Sequence, residues 1–177
     1  MLTACIFAAI LASPGEVELA EKLPAIFEKS AAHYRAIDAA ATPLMNSGGA
    51  AKEKKPHGER LVPHGWDAKN GKPDMRSIYW WTSGHFPGSL WYLYEYTKDP
   101  FWKEQAAAYT ERLIEPLRHD ASNHDVGFRT YCSAGNGLRL TGDKRYAEFL
   151  HDTSAALRTR YDDKLGLIRS WNSPKKG

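Results

Sequence analysis

Residues Tyr79 to Tyr96 read Y-W-W-T-S-G-H-F-P-G-S-L-W-Y-L-Y-E-Y, and this stretch decides how the rest of the chain is read. It begins as an aromatic loop. Thr82, Ser83 and Gly84 suit a helix start, because a Ser or Thr oxygen can accept from the first free N–H groups. Pro87 then falls in the first turn, where a missing donor costs little. Phe86, Leu90, Leu93, Tyr94 and Thr97 recur three or four residues apart and build one apolar face. The rings and His85 are thereby set at a helix N-terminus, a place that favours anions and sugar hydroxyls.

Downstream the pattern recurs. Tyr96-Thr97-Lys98-Asp99 precedes a helix with the face Trp102, Ala106, Tyr109, Leu113 and Leu117. Leu140-Thr141-Gly142-Asp143 precedes another, with Tyr146, Leu150, Thr153, Leu157 and Tyr161. The two sets match position for position from Asp99 to Asp143, and the first helices of the pairs are expected near Gly84 and Gly127. A repeated helix–turn–helix unit of this length predicts stacked α-hairpins, longer than a tetratricopeptide unit and suited to an α/α toroid or a HEAT-like solenoid. Upstream, Glu16 to Ala41 reads as helix, with Leu23, Ile26, Phe27, Ser30, Tyr34 and Ile37 on one face and a start or kink at Pro24. Thr42 to Pro73 reads as a long irregular connection. Only Leu167 to Trp171 hints at a strand. The expected class is all-α, a partial barrel of about five helices.

At 177 residues there is room for one domain with a real core. Charged residues make up 25% and hydrophobic ones 42%, the balance of a soluble globular chain. The net charge of +3 is mild, and no Lys/Arg stripe interleaves with the aromatics, so nucleic acid is not an expected partner. Leu2 to Ala12 is apolar but too short to span a bilayer. With Ser13-Pro14-Gly15 behind it, the run reads as a secretory leader over residues 1–15, and Leu2-Thr3-Ala4-Cys5 looks like a lipoprotein box. A periplasmic or secreted location follows as an expectation. Removing the leader would take Cys5 and leave Cys132 without an internal disulfide partner, as a small core hydrophobe.

Three groups carry candidate chemistry: the Tyr79–His85 loop, Asn123-His124-Asp125-Val126-Gly127-Phe128, and Arg169-Ser170-Trp171. In a toroid the first two lie at one end and converge on one pocket. Asp125 can be a plain N-cap, as can Asn123. It can equally be a general acid/base, with His124 tuning its charge or holding substrate, and Phe128 and Tyr131 desolvating the carboxylate. Trp91 and Trp102 sit at helical spacing and read as core. Trp80, Trp81 and Trp171 sit in loops, where they can stack on the C–H faces of sugars or pack over the barrel end. Glu95 reads as a solvated or inter-helix carboxylate.

W-T-S-G-H-F-P-G-S-L-W-Y-L-Y-E-Y-T, then N-H-D-V-G-F-R-T-Y-C-S-A-G-N-G, L-R-L-T-G-D and I-R-S-W together resemble the unsaturated glucuronyl hydrolases, glycoside hydrolase family 88, across Leu61 to Trp171. The resemblance implies a six-hairpin α/α toroid, residues 16–177 forming the N-terminal part of its catalytic domain. It implies action on unsaturated uronyl oligosaccharides, released from glycosaminoglycans or pectin by polysaccharide lyases, with no metal or organic cofactor. It implies Asp125 as the acid that protonates C4 of the C4=C5 enol ether; His124, Trp80, Trp81, His85 and Trp171 are the candidates, by residue type and place, for binding the sugar. It also implies a second aspartate before W-T-x-G, where Trp80 stands here. The later hairpins of a family member have no counterpart, so exposed apolar helix faces and self-association are expected. The alternatives are a non-catalytic sugar-binding relative and a helical-repeat scaffold that binds protein.

Overall fold

The computed structural model describes residues 14–46 and 61–172. The leader and lipoprotein readings fall on residues 1–13, outside the described ones. The chain divides into two compact units, residues 1–36 and 37–177.

The described part of the first unit is helix α1 (Pro14–Asn46), which continues into the second. It continues as helix through Pro24, so the helix does not start there. Pro24 and Ala20, whose carbonyl loses its usual donor, both face solvent, so water can satisfy the vacancy. Ile26, placed by periodicity on the apolar face, is exposed.

In the second unit the end of α1 packs through Ala41 and Asp38, both buried. The Tyr109 hydroxyl donates to Asp38 Oδ1 at 3.0 Å, and burial, reinforced by that carboxylate, pushes the phenol's pKa far up.

The expected irregular connection is replaced from Leu61 onward by an antiparallel hairpin, β1 (Leu61–Asp67) and β2 (Lys72–Ser77). Its turn is built by Gly71 at φ 62 and by Asp67 Oδ1, which accepts from the backbone of Lys69 and Asn70. The Asn70 side-chain amide also donates to Asp67, and these bonds lower the carboxyl's pKa. The register slips between Pro63 and Gly65, so His64 is the bulged residue. Its Nδ1 lies 2.7 Å from Thr82 Oγ1 and ties the hairpin to the aromatic loop.

The repeat is then laid out as α2 (His85–Thr97), α3 (Pro100–Leu117), and a second pair in which the first helix is composite. That helix is α4 (Val126–Thr130), a π-helical turn at Tyr131–Gly135 and α5 (Asn136–Thr141). α6 (Lys144–Arg158) completes the pair. A short hairpin, β3 (Tyr161–Asp162) with β4 (Leu167–Ile168), follows, so Tyr161 lies beyond the helix whose face it was expected to extend.

The two inter-helix turns are copies. Thr97 Oγ1 donates to Leu93 O and accepts from Asp99 N, and Asp99 caps α3 by accepting from Phe101 N. Thr141, Asp143 and Arg145 N repeat each bond at α6. Between them Lys98 (φ 58) and Gly142 (φ 70) take the same left-handed conformation.

The units also stack in register. Glu95 of α2 pairs with Arg139 of α5, 44 positions on, through two 2.6 Å bonds. A Cβ on Gly88 would lie 2.6 Å from the carbonyl oxygen of Cys132, again 44 positions on. Between α3 and α6, Arg118 pairs with Asp152 at 2.7 Å and Glu111 with Arg145 at 3.1 Å. Like elements of the two hairpins are therefore parallel, with their N-termini at one end. The core between them is Trp91, Trp102, Tyr109, Leu113, Tyr146 and Phe149, all fully buried. Trp91 Nε1 is satisfied by Thr110 Oγ1 at 3.2 Å, and burial pushes the Tyr146 phenol up to about 12. This is the helical-hairpin stacking of an α/α toroid.

Candidate active site

The end at which α2 and α4 begin holds the sequence-flagged residues. Gly84 is the N-cap of α2, and neither Thr82 nor Ser83 caps it with a side chain. Thr82 Oγ1 is engaged by His64, and Ser83 Oγ is buried without a partner. A side chain at position 84 would collide with the carbonyls of Phe128 and Arg129. This contact sets the aromatic loop directly against α4.

Trp81, His85 and Phe128 form a triangle with ring centroids 5.8, 6.0 and 5.9 Å apart. Trp81 and Phe128 are both about half exposed, giving an accessible aromatic wall. His85 Nδ1 lies 3.2 Å from the Thr82 carbonyl, which can only accept, so that nitrogen carries the proton. From His85 a groove of about 440 Å³ runs between Ser89 and Tyr92 of α2 and Tyr131 and Asn136. Trp80 stands apart from the triangle: its ring lies under the Arg76 guanidinium at 5.6 Å. Tyr131 is largely exposed, and Cys132 is half-buried with its thiol pKa raised by burial.

Asp125 occupies the N-cap position of α4 but caps nothing with its side chain. The capping alternative is therefore set aside. Asn123 Oδ1 accepts from Asp125 N at 2.8 Å, turning the chain so that the carboxylate is free and buried, the residue 8% exposed. His124 Nε2 lies 3.4 Å from Asp125 Oδ1.

The imidazole is oriented from its other side. His124 N and Nδ1 both approach the Ser170 carbonyl oxygen, at 3.2 and 2.9 Å. A carbonyl can only accept, so Nδ1 carries the proton and the neutral ring turns the lone pair of Nε2 toward Asp125. A lone pair facing a carboxylate is repulsive. Trp171 stands edge-on to His124, centroids 4.6 Å apart and planes at 89°, and is exposed.

Two arginines that sequence reasoning passed over shape this end. Arg129 is 1% exposed and its Nη1 pairs with Asp120, while its N–H bonds Asp125 O at 3.2 Å. Arg160, just beyond α6, reaches the strands and loops that carry Ser170 and Trp171. Arg129 lies inside the quoted N-H-D-V-G-F-R stretch but was given no role there, and Arg160 sits in no local motif. Among the described residues no group of three or more His, Cys, Asp and Glu is placed to hold a metal ion, and no helix is long and apolar enough to cross a membrane.

No protein-family model matches the chain. An unsaturated glucuronyl hydrolase of Formosa agariphila is 41% identical over 96 residues, 54% of this chain and 24% of the relative. One of Bacillus sp. strain GL1 is 33% identical over 127 residues, 68% of this chain and 32% of the relative. A crystal structure of an unsaturated glucuronyl hydrolase specific for heparin superposes with a TM-score of 0.60 at 32% identity, covering 80% of this chain and 36% of the other. The chain is a relative of the unsaturated glucuronyl hydrolases. It spans about a quarter to a third of the length of these relatives. The hairpin β1–β2, absent from the sequence reading, lies within the span from Leu61 that carries the resemblance.

Proposed function

We propose that this chain carries the acid-bearing end of a glycoside hydrolase acting on unsaturated (4,5-dehydro) glucuronyl oligosaccharides, the products of polysaccharide lyases on glycosaminoglycans or pectin. The observation that carries the reading is the buried Asp125 carboxylate 3.4 Å from His124 Nε2, with Trp171 edge-on to that imidazole. In the proposed reaction Asp125 gives its proton to C4 of the C4=C5 enol ether. The π electrons form the new C4–H bond, and the cation left at C5 is shared with the ring oxygen. Water adds at C5 and returns a proton to the Asp125 carboxylate, regenerating the pair. The resulting hemiketal opens and the aglycone departs. No group beyond the chain, the sugar and water enters the balance.

Trp81, with His85 and Phe128, offers a ring surface for one sugar face, and Trp171 offers another. The chain would meet such fragments in the periplasm or outside the cell, in keeping with a leader over residues 1–15. Incubation with an unsaturated disaccharide, followed by loss of the C4=C5 absorbance, tests the reading. Binding by calorimetry without absorbance loss would leave a sugar-binding relative, and no binding would leave a helical scaffold.

Tyr92, Tyr96 and Tyr131 leave broad ring surface exposed on the helices beside the groove, which supports self-association. Light scattering is expected to give a mass above that of the 19.9 kDa monomer. A monomer at all concentrations would overturn this part.

A further inference from the structure

Arg160 is a buried cation, 7% exposed, whose partners are all neutral. Nε donates to the Arg169 carbonyl at 2.9 Å, Nη1 to the Ala121 carbonyl at 2.8 Å and to Asn172 Oδ1 at 3.0 Å, and Nη2 to the Ser170 carbonyl at 3.1 Å. Burying a guanidinium without a carboxylate is costly. What the arrangement gains is geometry, because the planar fork ties two separate pieces of chain together. One is the segment just before His124, at Ala121, and the other is the stretch after the β3–β4 hairpin, Arg169 to Asn172. Asn172 Nδ2 adds a bond to the Ser122 carbonyl at 3.3 Å, closing the same seam. Ser170 O is thus held by Arg160 on one side and by both His124 donors on the other.

We infer that Arg160 is a positioning residue: it fixes the Ser170 carbonyl that sets the His124 tautomer, and it fixes the stance of Trp171 against His124. Arg160 touches neither sugar nor the reacting atoms. It acts through Ser170 O, without which Nδ1 of His124 has no acceptor and Nε2 is no longer turned to Asp125. A lysine cannot replace it, since a single ammonium cannot reach four acceptors spread across a planar fork. The role in catalysis rests on the reading given under the proposed function, whereas the positioning itself does not.

The test is the Trp171 indole N–H resonance, assigned by its loss in Trp171→Phe and shifted by the edge-on imidazole in the native protein. In Arg160→Lys the resonance is expected to move to the position of an unstructured tryptophan, with helical circular dichroism unchanged. Affinity for an unsaturated disaccharide is expected to fall roughly tenfold, the loss of one ordered aromatic contact. A Trp171 resonance unmoved in Arg160→Lys would overturn the inference. Should that variant fail to fold, Asn172→Ala removes one arm of the seam and is expected to shift the resonance in the same direction, and no shift there would equally overturn it. If the native protein binds no sugar, the carbohydrate reading falls while the resonance still decides the role of Arg160.

Discussion

Asp125→Asn is expected to reduce the hydration of an unsaturated disaccharide by on the order of 10²–10⁴-fold, the usual worth of a positioned general acid. The substitution is close to isosteric. Its amide can still donate to His124 Nε2, so the neighbouring ring keeps its orientation, but it has no acidic proton to give to C4. Because the Asp125 side chain caps no helix, the fold loses nothing with it, and the melting temperature is expected to stay within a few degrees of native. Turnover within about tenfold of native would remove Asp125 from the acid's role. A fall in both melting temperature and turnover would mean that the carboxylate is structural.

The second large effect is on stability. Asp120→Ala strands Arg129, which is 1% exposed and already has Nε and Nη2 without partners. Removing one member of a buried ion pair typically costs about 3–5 kcal/mol, because the other charge stays desolvated. Urea unfolding is expected to show the unfolding free energy lowered by that amount, as a lower midpoint at unchanged slope. The double variant Asp120→Leu with Arg129→Met removes both charges and is expected to recover most of the loss. If Asp120→Ala cost no more than an ordinary surface change, about 0.5 kcal/mol, the ion pair would not be holding the loop.

The helical part of this molecule was legible because a 3.6-residue period survives in Trp102, Ala106, Tyr109, Leu113 and Leu117, every one of them buried. The starts of α3 and α6 were legible too, after Thr97-Lys98-Asp99 and Thr141-Gly142-Asp143, whereas the capping by the two Asp side chains was seen only in the structure. The β1–β2 hairpin was missed because Pro63, Gly65 and Pro73 interrupt its alternation. Asn70-Gly71 was the signal that could have found it. At the site, the sequence named Asp125 and His124 but left capping open, which the missing bond from the Asp125 side chain to the first turn of α4 decides. Trp80 and Trp81 are adjacent and chemically alike, and the path of the loop alone separates them into a ring under Arg76 and a member of the aromatic wall. The grip of Ser170 on His124 bridges 46 positions and leaves no trace in either segment. That is why Arg160, the residue that ties them, had no signature.

The in-register stacking of α2 on α4–α5 and of α3 on α6 has an energetic consequence. Each hairpin meets the next through a translated copy of its own surface, so cohesion is the sum of a term for each unit and one for each joint between units, as along a one-dimensional lattice. Damage at one joint weakens its two neighbours and decays beyond them. The Arg129–Asp120 pair sits at the joint between the two hairpins, and so does the wall that would face a sugar. The surface proposed to face carbohydrate therefore lies on the joint itself, and a ligand seated there would strengthen the coupling between the two units.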